Sequence, residues 1–249
     1  MIPRLYHPHP LVPGQFLTLG REAGHYLARV LRLRSGEPVV LFNGRDGLDY
    51  PAIIQALEPE LTLRLDTPLP NPAESPLTIT LVHGLAKSTA MELVIQKAVE
   101  LGVARILPLV CRHVVGRPDA QRDQHRRERW NRIAAEAAEQ CRRARVPEIL
   151  SPLPWEALPA HLAPHGPRLL CWEQNDGLPP LASLGSRWPR PEHVTLLTGP
   201  EGGFAADEVA SACADLGFTA VSLGPRILRS ETAAITAVTL AQVLWGDLQ

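Results

Sequence analysis

Leu196-Leu197-Thr198-Gly199-Pro200-Glu201-Gly202-Gly203-Phe204 decides how this chain is read, together with its later counterpart Leu223-Gly224-Pro225-Arg226-Ile227-Leu228-Arg229-Ser230-Glu231-Thr232. In each, a short apolar run ends in a glycine turn and passes into a helix start. Asp207 and Glu208 mark one start, and a capping Ser230 followed by Glu231 marks the other. Strand, Gly-rich turn and helix form the grammar of an open α/β sheet, whose ligands bind outside the carboxyl ends of the strands. The first turn lacks the Lys-Ser/Thr of a phosphate loop. It also lacks the spacing of a dinucleotide fingerprint, which argues against a nicotinamide oxidoreductase. A Gly-rich turn alone implies no more than a tight bend. Arg226 and Arg229 add the missing information, because they stand just before a helix N-terminus where positive charge is unfavourable. Glycine and acid on one loop, and arginine on the other, read as opposite walls of one pocket.

The same grammar extends back to residue 77. Leu77 to His83 reads as a strand, and a helix follows with Met91, Val94, Ile95, Ala98 and Leu101 on one face. Ile106 to Val110 is a second strand, followed by a long Arg-rich helix from about Arg122 to Arg145. Leu169 to Trp172, Val194 to Leu197 and Ala220 to Leu223 are further strands, with helices from near Ala206 and Ser230. The alternation predicts a mainly parallel sheet. Thr232 to Trp245 is apolar nearly all round, which suits a helix buried in a core or at a dimer contact. Before residue 66 the runs are short: Val39 to Phe42, Tyr50 to Leu57 and Leu61 to Leu65, with one short helix at Glu22 to Leu33. That is the pattern of a small β-rich domain. Pro68, Pro70, Pro72 and Pro76 stiffen the stretch between. The expected division is therefore 1–70, a linker at 71–76, and 77–249.

Charge balance excludes one class of function. Twenty-five basic against 26 acidic side chains leave a net charge of −1, so the chain does not bind polyanions through bulk charge. The total hides a gradient: +2 over 1–50, −2 over 51–111, +5 over 112–145 and −6 over 146–249. Glu128 with Arg132, and Glu139 with Arg143, are spaced as i,i+4 ion pairs. The remaining positive surplus suits phosphate contacts, which position RNA without reading its sequence. Cys111, Cys141, Cys171 and Cys213 are too far apart in sequence for a zinc motif, and the nine histidines form no ligand pattern. No apolar run is long enough to span a bilayer, and no signal segment is legible at Met1-Ile2-Pro3-Arg4. Free cysteines without targeting signals predict a reducing cytoplasm and no membrane partner.

The paired C-terminal motifs resemble those of the SPOUT-class small-subunit ribosomal RNA uridine-N3 methyltransferases. The match runs from Thr198-Gly199-Pro200-Glu201-Gly202-Gly203-Phe204 to Leu223-Gly224, Arg226-Ile227-Leu228-Arg229 and Glu231-Thr232-Ala233. Further matches are Glu92 with Gln96 to Val103, Glu136 to Cys141 with Arg143 and Val146-Pro147, and His25-Tyr26-Leu27 with Arg29 to Arg32 and Gly36-Glu37. The chain departs from the family pattern at Ala90, Cys111, His113 and Arg142, the last commonly glycine. The resemblance implies a SPOUT-type C-terminal α/β domain with a deep trefoil knot and a mainly parallel sheet. It also implies an N-terminal PUA-like β-barrel that helps hold RNA, a homodimer, and S-adenosylmethionine as cofactor without a metal.

On that reading the substrate is small-subunit (16S) ribosomal RNA, free or in the assembled subunit. Glycines at 199, 202, 203 and 224 admit close backbone approach to the cofactor. Leu197, Leu223, Ile227 and Leu228 supply apolar walls, and Thr198 and Thr232 polar contacts. Uridine N3 lies on the Watson–Crick edge, so only an unpaired or flipped base can react. Loss of its proton leaves an anion that a positioned guanidinium stabilises, which points to Arg229. Glu201 is either the proton acceptor or a loop-ordering carboxylate. Arg4, Arg29, Arg32, Lys87, Arg112, Arg122, Arg126 and Arg143 are the expected RNA contacts. Two other readings stay open: a relative that methylates another RNA position, and a silent RNA-binding assembly factor.

Overall fold

The computed structural model describes residues 2–113, 120–174 and 177–248, apart from the side chains of Ala120 and Arg122. It divides into two units, Met1–Glu74 with Ala138–Val146, and Ser75–Ala137 with Pro147–Gln249.

The first unit is built on β1 (Arg4–Tyr6), β2 (Phe16–Leu19), β3 (Pro38–Phe42), β4 (Leu48–Ala56), β5 (Leu61–Leu65) and β6 (Leu69–Pro70). The sheet order is β1-β3-β4-β5-β2, with β6 on β4; β1 pairs β3 in parallel and the other pairs are antiparallel. Alternation along β5 sends Leu61, Leu63 and Leu65 inward with Leu41, Ile54 and Leu27. The helix expected at Glu22 to Leu33 is shorter and irregular. It is an α-turn α1 (Arg21–His25) continued by a π-helical turn over Tyr26–Val30, after which Arg32 takes a φ of +57°. The segment read as a linker is partly structural. The Glu74 carboxylate accepts the amides of Ala144 and Arg145, both at 2.8 Å, and pairs with the Arg143 guanidinium at 3.0 Å.

Among its described residues the second unit carries seven parallel strands. They are β7 (Thr78–Gly84), β8 (Arg105–Val110), β9 (Glu148–Ile149), β10 (Leu153–Pro154), β11 (Arg168–Cys171), β12 (His193–Thr198) and β13 (Thr219–Val221). Their order is β10-β8-β7-β12-β11-β13, with β9 also on β8, and each pairing is parallel. The helices are α2 (Ser88–Glu100), α3 (Ala120–Cys141), α4 (Ala206–Ala214) and α5 (Ser230–Trp245). The central strands are apolar because both faces are covered. Ile79, Leu81, Ile106, Leu169, Leu196 and Leu197 are all fully buried. On α2 the expected stripe of Met91, Val94, Ile95 and Ala98 is buried, whereas Leu101 is half-buried beyond the helix end.

Two local expectations change. The Arg-rich helix stops at Cys141, and Arg142 leaves it with a φ of +68°, the left-handed position that glycine ordinarily fills after a helix. Arg229, not Ser230, caps α5: its ψ of 155° is extended, and Ser230 is already helical. One face of α5 is buried through Ala234, Ala237, Val238, Ala241 and Trp245, while Val243 is exposed.

Candidate active site

A cavity of about 820 Å³ opens at the carboxyl ends of β11, β12 and β13. Parallel strands end together here, so three loops and one helix start converge. Gly199 to Gly203 form the wall after β12. Leu223, Gly224 and Arg226 to Ser230 form the wall after β13, and Lys87, Thr89, Ala90 and Leu93 come from the start of α2. Cys171, Trp172 and Glu173 supply a third loop after β11.

Backbone reaches the wall of the first turn because side chains are missing there. A Cβ on Gly203, whose φ is +69°, would come within 2.5 Å of Glu173 Oε1. One on Gly202 would come within 2.8 Å of His113 Cβ. At Gly202 the neighbours are the Cβ and carbonyl of His113, which leave no room for a side chain, whereas Glu173 can swing away from Gly203, where it is the left-handed backbone that favours glycine. Gly224, at a φ of +113°, meets nothing within 4 Å.

Charge at the cavity is mixed. Glu173, Glu201 and Glu231 line it together with Lys87, Arg226 and Arg229. Glu201 holds the structure together locally, because its Oε1 accepts the Lys87 backbone amide at 2.9 Å. That carboxylate also lies at the N-terminus of α2, where negative charge is favourable. Among the described residues neither Lys87 nor Arg229 forms an ion pair. Burial pushes the Cys171 thiol up to about 12, so it stays protonated and is no nucleophile. Ile227 on the β13 loop is 84% exposed, an unusual place for an aliphatic side chain.

Most of the residues expected at the pocket meet there: Gly199, Glu201, Gly202, Gly203, Leu223, Gly224, Ile227, Leu228 and Arg229; Lys87, expected as an RNA contact, lines it too. Leu197 and Thr198 do not line it; both are fully buried in β12. Thr232 is exposed on α5 outside the lining. The loop after β11 escaped the sequence reading. Its signal was a strand ending in Trp172-Glu173, the same carboxyl-end position as the two motifs.

The expected RNA contacts separate into two groups. Arg29, Arg32 and Lys87 are exposed, and Arg112 is exposed while paired with Asp207. Arg126 pairs with Asp123 at 3.1 Å. Arg143 is instead buried in the first unit, and the Arg4 side chain is only 9% exposed there. Arg4 forks onto Asp49 with two 2.8 Å bonds and lies over the Phe42 ring, and Arg143 is held by Glu74. These two guanidiniums are interior struts rather than phosphate contacts. The Arg122 side chain lies outside the described residues. On α3, Arg127 donates to the Ile149 carbonyl and Arg129 forks onto Glu92 at 2.7 and 2.8 Å. Much of the local positive surplus thus joins helices and loops. Glu139 accepts the Tyr6 amide at 2.6 Å.

Among the described residues no group of three or more His, Cys, Asp or Glu could hold a metal ion. Nor is any helix long and apolar enough to cross a membrane.

Comparison with known proteins places this geometry. Residues 73–242 match the model of an RNA methyltransferase domain, and residues 19–64 that of an RNA methyltransferase PUA domain. The ribosomal RNA small subunit methyltransferase E of Buchnera aphidicola is 31% identical over 250 residues, covering 99% of this chain and 98% of the relative. Its counterpart in Synechocystis is 36% identical over 228 residues, 91% of this chain and 72% of the relative. A crystal structure of a ribosomal RNA small subunit methyltransferase E from Neisseria gonorrhoeae, bound to S-adenosyl methionine, superposes with a TM-score of 0.89. It shares 31% identity and covers the whole of both chains. A Legionella pneumophila structure in complex with the bound cofactor SAM gives 0.84 at 35% identity, again over both whole chains. The cavity at the strand ends and the matches along both units lead to one conclusion: this chain belongs to the RNA methyltransferase family that joins such a domain to a PUA domain, alongside the ribosomal RNA small subunit methyltransferases E.

Proposed function

We propose that this chain transfers a methyl group from S-adenosylmethionine to N3 of a uridine in small-subunit (16S) ribosomal RNA. The observation that carries the reading is the cavity itself, which the Gly199–Gly203 turn, the Arg229 loop and Lys87 line together at the strand ends.

The residues present suit the cofactor. S-adenosylmethionine has no phosphate, so backbone donors and acceptors must recognise its polar ends. Gly199, Gly202, Gly203 and Gly224 leave backbone at the wall, and Leu223, Ile227, Leu228 and Trp172 offer apolar surface for a purine. Glu173, exposed at the end of β11, is a suitable acceptor for a ribose diol. Leu197 and Thr198 serve from behind, by holding the turn. When bound, the cofactor would supply an electrophilic methyl group, the sulfonium bond breaking to leave S-adenosylhomocysteine.

The remaining chemistry belongs to the chain. Uridine must present N3 unpaired, and its proton must leave as the new bond to carbon forms. The Arg229 guanidinium, without an ion pair among the described residues, stabilises the negative charge shared by N3 and the flanking carbonyls. Glu201 orders the turn through Lys87, and the proton passes to solvent. Lys87 holds a phosphate near the cavity mouth, with Arg29, Arg32, Arg112 and Arg126 as further phosphate contacts. The same reading takes the chain path through the two Gly-Pro turns as the trefoil knot of the SPOUT class. It makes the enzyme a cytoplasmic homodimer, for which the exposed Val243 on the apolar α5 is support.

The test is digestion and mass spectrometry of small-subunit RNA methylated in vitro by the purified chain. N3-methyluridine at one site is the expected product. A methyl on ribose or another base shows a different specificity, and no incorporation with bound RNA shows a silent assembly factor.

A further inference from the structure

His83 is a buried ionisable group for which the chemistry above has no use. It lies at the end of β7, is fully buried, and stands in register beside Thr198, the last residue of β12. Its Nδ1 is 2.8 Å from Thr198 Oγ1, whereas Nε2 is sealed from solvent without a hydrogen-bond partner among the described residues. Leaving a buried polar atom unpaired is costly, and an aliphatic side chain would avoid the cost. Burial pushes the imidazole down to about 4, against the opposing pull of the Glu201 and Glu231 carboxylates. Both carboxylates line the cavity, so the ring lies within electrostatic reach of it.

Two further contacts join the same two segments. Gly84 lies so close to Gly199 and Pro200 that a Cβ there would collide with the proline ring. Lys87 donates its amide to Glu201. Residues 83–87 and 198–201 are therefore held at three points: a hydroxyl, a backbone approach and a carboxylate. Of these, the imidazole contact grips the residue from which the glycine turn departs.

We propose that His83 is a positioning residue for the cofactor turn. Its hydrogen bond to Thr198 sets the direction in which the chain leaves β12, and so holds Gly199–Gly203 ready to receive S-adenosylmethionine. The inference rests on the function proposed above. The sealed ring acts through Thr198 and does not touch the ligand. Because the bond organises a site before it is filled, its loss appears in cofactor affinity and not in the binding of RNA.

Calorimetric titration of the full chain with S-adenosylmethionine separates the cases. An unmodified chain that binds none overturns the function proposed above, whatever His83 does. Where it binds, His83→Leu should bind about tenfold more weakly, with an unchanged KM for RNA. His83→Asn, whose amide occupies the Nδ1 position, should recover most of the loss. Affinity of His83→Leu within about twofold of the unmodified chain overturns the proposal, and so does a His83→Asn as weak as His83→Leu. Should His83→Leu fail to fold, Thr198→Ser and Thr198→Val carry the same test. Loss confined to the valine variant supports the proposal, and equal affinities overturn it.

Discussion

The Glu201 carboxylate accepts its hydrogen bond from the Lys87 amide at 2.9 Å, across 114 positions of sequence. This bond ties the glycine turn of β12 to the first turn of α2, and it separates two roles that a carboxylate in this motif could play. An organiser needs only an acceptor oxygen, whereas a proton acceptor needs the charge. Glu201→Gln should therefore retain turnover to within about tenfold, while Glu201→Ala weakens both cofactor binding and turnover more strongly. Methyl incorporation into RNA measures the difference. A glutamine variant as impaired as the alanine one would make Glu201 the proton acceptor.

Arg229 should behave differently. Removing a donor that acts mainly on developing charge lowers turnover by roughly 10²–10³-fold. Arg229→Ala should do so while S-adenosylmethionine affinity holds, because the side chain is assigned to the base. Single-turnover rates beside calorimetric titrations make the comparison, and an unchanged rate removes Arg229 from the chemistry.

Arg142 offers a prediction about stability alone. It occupies a left-handed position with a φ of +68°, immediately after α3. Arg142→Gly should relieve backbone strain and stabilise the fold by about 1 kcal/mol. A rise of a few degrees in Tm checks this.

Lys87 and Arg143 test the division between surface and interior cations. Lys87→Ala should weaken RNA binding and reduce the slope of log affinity against log salt by about one. Arg143→Ala should leave that slope alone and lower stability by about 3 kcal/mol, since Glu74 loses its buried counter-charge. Filter binding across a salt series, with denaturant unfolding alongside, reads both.

The pH dependence of stability follows from His83. Its folded value lies near 4 and its unfolded value near 6.5, so the unfolded chain takes up the proton first as pH falls. The contribution of a neutral His83 is present above pH 6.5 and is lost progressively between 6.5 and about 4. His83→Asn, which does not titrate, should lack this part of the slope. Urea unfolding of both chains between about pH 7.5 and 4.5 gives the difference; parallel curves would mean that His83 protonates without resistance.

Much of the second unit was legible because its signals are local. An apolar run such as Val194 to Leu197 becomes a strand wherever it is covered on both faces, and Gly-Pro after it ends the strand. The stripe on α2 is similarly visible in Met91, Val94, Ile95 and Ala98, which repeat at the helical period. The first unit was less legible. Leu69–Pro70 is a strand inside a proline-rich stretch, and pairing with β4 overrides the local composition. The turn at Tyr26–Val30 is π-helical, a choice no hydrophobic period announces.

At the site, the sequence alone determined the two loops, their glycines and Arg229, since adjacent residues carry those motifs. It also determined the family, because the motifs recur in one order along the chain. Only the tertiary structure decided what each polar group meets. Arg4 and Arg143 looked like any other surface arginine until Asp49 and Glu74, 45 and 69 positions away, were found beside them. His83 and Thr198, 115 positions apart, are neighbours because β7 and β12 lie side by side. Strand order in a parallel sheet is set by how buried faces pack over long separations. For that reason the loop after β11 became the third wall of the cavity, and the Glu201 carboxylate meets the Lys87 amide.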